Sequence, residues 1–171
     1  MIGRRWLVLG AFVVAAIGIV AFVSLGHGAS GSPAQRLASW VGSTSLGQDI
    51  GTLEGDGNDV QKALAAGKGI TAAHTVCAAM ATSSQTFNDQ LPSPDTVVTQ
   101  LLARAYGLEY DAAQACYRSP AASAPLFGAF GRDRDRAAVL FEDVLRRVWV
   151  LTGTTPPTTT TTVLPVTTGI L

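Results

Sequence analysis

Hydrophobic residues follow two patterns along this chain. The first is an unbroken run, Trp6 to Leu25 (WLVLGAFVVAAIGIVAFVSL), twenty residues without a charge. As a helix it would be about 30 Å long, the thickness of a bilayer's hydrocarbon core, and it predicts a single transmembrane helix. The second pattern is a recurrence of apolar residues every three or four positions, which marks one buried face of a helix. Ser32 followed by Pro33 supplies a helix start, and Leu37, Trp40 and Val41 predict a helix over 33–44. Leu46, Ile50 and Leu53 continue such a face. Five glycines at 42, 47, 51, 55 and 57 work against it at about 1 kcal/mol each. The expectation is a broken piece over 45–54 and a turn over Glu54–Asp59.

Further on, Ile70, Ala73, Cys77, Met80, Ser84 and Phe87 predict a helix that begins as early as Val60 and ends near Asn88. Pro92-Ser93-Pro94 stops it, with Ser93 the expected cap of the next. That next helix, Asp95 to Tyr117, carries Val98, Leu101, Ala105, Leu108, Ala112 and Cys116 on one face, with Gly107 as a kink point. A loop with Pro120 and Pro125 leads to a last helix over 133–151, where Ala137, Leu140, Phe141, Val144, Val148 and Leu151 face inward. Glu142–Arg146 and Asp143–Arg147 are favourable i,i+4 pairs on its polar side, and Gly153 ends it. No segment alternates with a period of two. The fold class is therefore all-α, a small bundle of four or five helices.

Charge orients the chain. Arg4 and Arg5 precede the apolar run, and no charge follows it until Arg36. Basic residues stay on the cytoplasmic side. The expected layout is a cytoplasmic N-terminus (1–5), a signal anchor in the cell membrane (6–25), a flexible linker (26–32), an extracytoplasmic helical domain (33–153) and a tail (154–171). The alternative for the run is a cleaved signal peptide, whose apolar region is usually shorter. The tail carries nine threonines and three prolines in the fifteen residues TTPPTTTTTVLPVTT, a composition that buries no core and predicts disorder. It is either a bare spacer or a carrier of O-linked sugars.

Composition narrows the partners. Basic and acidic residues number twelve each, and without Arg4 and Arg5 the balance turns slightly acidic. Nucleic-acid binding, which needs a basic face, is excluded as an expectation. Arginine outnumbers lysine ten to two, a bias typical of GC-rich bacterial genomes that carries no function.

The two cysteines, Cys77 and Cys116, fall on the core faces of successive helices. In an oxidising exterior an even pair predicts one disulfide. The competing possibilities are free buried thiols and a metal held by His74, Cys77 and Cys116, for which no further ligand motif exists. Other motifs fail on spacing. Gly67-Lys68-Gly69-Ile70-Thr71-Ala72 resembles a dinucleotide turn but lacks a preceding strand. Glu54, Asp56 and Asn58 resemble the start of a calcium loop, but Asp59 and Ala65 stand where glycine and glutamate belong. His74 lacks a nucleophile motif, and Glu109 with Asp111 or Glu142 with Asp143 cannot share a helix face. No catalytic residue, metal or cofactor is expected.

Tyr106, Tyr110 and Tyr117 form a stripe on the fourth predicted helix, away from its Val98–Cys116 face. Either that helix is central and buried on both sides, or the tyrosines line a partner surface. The functional expectation is a non-enzymatic, membrane-tethered interaction or accessory module of the bacterial cell envelope. Its partner would be another envelope protein or a cell-wall component. The alternatives are a cell-wall hydrolase with a site assembled from distant residues, and a cleaved secreted factor.

Overall fold

The computed structural model describes residues 31–154. The proposed anchor at 6–25 and nearly all of the Thr/Pro tail lie outside the described residues. Five helices follow one another: α1 (Pro33–Thr44), α2 (Leu46–Ala65), α3 (Gly69–Asn88), α4 (Thr96–Arg118) and α5 (Pro125–Thr152). No strand occurs among the described residues, and no helix there is long and apolar enough to cross a membrane. The all-α bundle is as expected, with five members.

α1 starts as its sequence dictates. The Gln35 N–H donates to Ser32 Oγ at 3.2 Å, and the Ser32 N–H donates to Gln35 Oε1 at 2.8 Å, a reciprocal capping box behind Pro33. It ends at Ser45, whose φ of 55° breaks the helix and redirects the chain into α2.

α2 departs from expectation. It is unbroken through Glu54–Asp59, where a turn was expected, because Leu46, Ile50, Leu53, Gly57 and Val60 form one continuous buried face. Burial of that face outweighs the glycine cost, since tertiary packing supplies most helical stability. The break comes later, at Ala66-Gly67-Lys68, where Gly67 takes a φ of 68°. Consequently Val60 belongs to α2 rather than to α3.

α4 is the central helix. It packs against both α3 and α5, and it buries Leu102, Tyr106 and Ala113 as well as Val98, Ala105, Ala112 and Cys116. α2 lies on α3, and α1 bridges from α2 to α5. α5 starts at Pro125, eight residues before the expected Asp133. Proline tolerates the first helical position, and Phe130 gives the added turns a fully buried anchor.

Candidate functional site

α3 and α4 run side by side, joined by a disulfide between Cys77 and Cys116. Both cysteines are fully buried and their Cα atoms are 6.1 Å apart. With both sulfurs bonded to each other, neither is left to ligate a metal.

Beside this joint the two helices form a shallow trough made of two adjoining hollows, of 510 Å³ and 210 Å³. Gln85 and Tyr110 line both. The trough exists because α4 presents Ala103, Gly107, Tyr110, Gln114 and Tyr117 at three- and four-residue spacing, along a strip that neither α3 nor α5 covers. Small side chains leave the hollow and the rings wall it.

The tyrosine stripe is divided by burial. Tyr106 is 2% exposed and sits between Phe87 and Phe141, with ring centroids 6.1 and 5.6 Å away. Burial, helped by the nearby Asp49 carboxylate, pushes its phenol pKa far up, so it stays neutral. It belongs to the core and gives the trough only an edge. Tyr110 is half-buried and Tyr117 is 52% exposed. Any partner surface therefore rests on Tyr110 and Tyr117.

His74 stands behind Tyr117, with ring centroids 5.7 Å apart. Its Nε2–H donates to the Ser119 carbonyl at 2.9 Å. That contact ties α3 to the end of α4, satisfies a helix-end carbonyl and fixes the imidazole. His74 thus braces the Tyr117 ring.

A second polar cluster lies deeper, and sequence reasoning missed it. Glu109 on α4 is 2% exposed. Arg134 on α5 approaches it, Nε to Oε2, at 3.7 Å, and neither of those two atoms has a hydrogen-bond partner. The guanidinium also lies over the Phe130 ring at 5.6 Å and donates from Nη2 to the Glu54 carbonyl at 3.5 Å. It occupies a notch that α2 leaves open at Gly57, where a Cβ would overlap it. Burial pushes the Glu109 pKa up to about 7; Arg134 opposes the shift, and Glu54 and Asp56 add to it. A signal was present: Glu109 falls in register with Ala105, Ala112 and Cys116, and Arg134 with Phe130, Ala137 and Phe141. Two opposite charges in core register on neighbouring helices point to a buried pair. Because Glu54–Asp59 is helical, it does not form the coordinating loop its spacing resembled. Among the described residues, no group of three or more His, Cys, Asp and Glu could hold a metal.

The helix cap and the surface ion pairs need correction. Asp95, not Ser93, caps α4, accepting the Val98 N–H at 2.8 Å. Ser93 instead supports the bend, its Oγ donating to the Asp95 carbonyl at 2.7 Å. Arg147 pairs with Asp95 rather than Asp143, through two bonds of 2.8 Å each that clamp α5 to the start of α4. Asp143 pairs with Arg146 at 3.4 Å. The Arg147 guanidinium holds the Asp95 carboxyl at about 2, below the usual carboxylate range, with the N-cap bond adding to the effect. Comparison with family models, curated proteins and solved structures finds no match to this chain.

Proposed function

We propose that this chain is a non-enzymatic interaction module of the bacterial cell envelope. It is anchored by residues 6–25 with its N-terminus in the cytoplasm, and its helical domain faces the exterior. The observation that carries this reading is the buried Cys77–Cys116 disulfide, a bond that persists outside the reducing cytoplasm. It agrees with the charge pattern of Arg4 and Arg5 before an uncharged run. The accessory role is supported by where the polar groups are committed. His74 is bonded to a helix-end carbonyl, Asp95 is clamped by Arg147, and Glu109 is sealed from solvent beside Arg134. Glu109, the carboxyl whose pKa burial raises toward neutrality, is 2% exposed and lies out of a substrate's reach. What the domain offers outward is the trough with Tyr110 and Tyr117, to an envelope protein or a wall component.

Geography is tested by placing Ser30→Cys or Thr160→Cys in the full chain and adding a membrane-impermeant maleimide to intact cells. Both positions should label without lysis. Labelling only after lysis would overturn the exterior placement. N-terminal sequencing of the mature protein separates the anchor from a cleaved secreted factor, because a start near residue 27 or 30 removes the anchor. Crosslinking in cells then identifies what the domain holds.

A further inference from the structure

We propose that the α3/α4 trough is a carbohydrate site that takes a neutral oligosaccharide lengthwise. The proposal deepens the exterior module by naming its ligand class, and it rests on that reading for its biological setting only.

Charge comes first. Asp89 is the sole ionic residue among those lining the two hollows. A nucleic acid, an acidic polymer or an anionic lipid surface would need a basic lining that is not there. Chemistry comes second. The walls combine aromatic rings with amides: Tyr110 and Tyr117 beside Gln85, Asn88 and Gln114. A pyranose ring has an apolar C–H face and a rim of hydroxyls. A tyrosine offers a flat apolar surface with a polar tip, and a side-chain amide both donates and accepts. Those two groups together match the two aspects of a sugar. Gln85 and Asn88 are exposed, so their amides exchange water for sugar hydroxyls at little cost.

Shape and preorganisation come third. Between Tyr106 and Tyr117, α4 rises about 16 Å, enough for several sugar rings end to end. Ala103 and Gly107 leave the hollow open. Tyr117 is half exposed yet braced, because His74 packs against it and is itself bonded to the Ser119 carbonyl at 2.9 Å. The disulfide joins α3 to α4 and so fixes the distance between the amides of one wall and the rings of the other. A platform held in place before the ligand arrives loses less entropy on binding. A peptide strand finds little to pair with, since a helical wall presents no free backbone edge.

The test uses the oxidised full-length chain, purified in a detergent without a sugar headgroup. Binding is read by saturation-transfer NMR with tetramers of N-acetylglucosamine and of glucose, and with a peptide of residues 154–168. At least one tetramer should bind at about millimolar affinity. Tyr117→Ala and Gln85→Ala should each weaken it about tenfold, with unchanged melting. Arg136→Ala, which lies outside both hollows, should change nothing. No binding by either sugar overturns the proposal, as does sugar binding that both trough variants leave intact. Capture of the peptide alone overturns it in favour of a self-contact. These outcomes are independent of the cell-labelling result, so failure of the carbohydrate site and failure of the exterior placement are distinguishable.

Discussion

At the scale of single residues, the most consequential group is Glu109. Its carboxyl is held at about 7 in the fold against an ordinary 4.5. As pH rises from 4.5 to 7 the unfolded chain ionises there while the folded chain keeps its proton, so stability falls across that window and levels off above it. Glu109→Gln should flatten this slope, by about 2–3 kcal/mol at pH 8 relative to pH 4, read from urea midpoints at the two values. Gly57 gives a sharper check on the same pair. Alanine there displaces the Arg134 guanidinium, a flexible group whose movement is itself cheap. The cost is a buried carboxylate without its partner, about 1–3 kcal/mol, and it falls only where Glu109 is ionised. Gly57→Ala should therefore destabilise the domain at pH 8. At pH 4 it should be neutral or stabilising, since alanine favours a helix by about 1 kcal/mol. A loss of equal size at both values would assign the effect to packing instead of charge.

At the scale of elements, the helices were legible in the sequence wherever one apolar stripe met one clear stop signal. α1 began and ended where Ser32, Pro33 and the glycine-rich stretch placed it, and most of the expected inward residues of α3, α4 and α5 are buried, although Leu151 is exposed and α4 also buries Leu102, Glu109 and Ala113. α2 was not legible, because glycine cost is local while the stripe Leu46–Ile50–Leu53–Gly57–Val60 gains its stability only against α3. The extra turns of α5 are hidden for the opposite reason: Pro120 and Pro125 read as loop, and Gly128 and Gly131 interrupt the apolar stripe of Leu126, Phe127 and Phe130. Partners far apart along the chain, such as Arg147 with Asp95, cannot be read from i,i+4 spacing at all. The trough is half visible in the sequence, since the tyrosine spacing can be read there while the division between Tyr106 and its two neighbours depends on where α3 and α5 lie. Two predictions belong here. Gly47 and Gly51 are exposed on α2, and a Cβ at either meets nothing within 4 Å. Gly47→Ala and Gly51→Ala should each stabilise by about 0.5–1 kcal/mol, seen as a higher melting temperature. At the start of α4, the pKa of Asp95 is lowered from 3.8 to about 2, so its contribution is complete above 3.8 and is lost as pH falls toward 2. Asp95→Asn keeps the cap but loses the clamp, and it should abolish this acid limb while leaving helix content unchanged by circular dichroism.

At the scale of the whole molecule, stability is distributed unevenly, and the disulfide sits where the trough needs it. α4 anchors the bundle through both α3 and α5, whereas α2 leans on α3 and α1 on α5 from outside. The core is built largely from alanine, valine and leucine, with Phe130, Phe141 and Tyr106 as its bulky members. Small side chains bury less area each, so a covalent tie contributes a larger share of the margin here than in a core rich in aromatics. The bond closes a sequence separation of 39 residues. In the chain-entropy model a loop of that size is worth about 4 kcal/mol, or about 15 °C in a domain this long. Cys77→Ala with Cys116→Ala, and equally reduction of the native chain under denaturing conditions, should lower the melting temperature by that order. Far-UV dichroism should remain helical at low temperature, because each helix still has its buried stripe. Exchange protection should fall first in α3 and the C-terminal half of α4, the two segments the bond joins, and α5 should keep most of its protection. A drop of only two or three degrees, or a loss of protection spread evenly over all five helices, would mean that packing alone sets the α3–α4 geometry and that the oxidised bond is incidental to the shape of the trough.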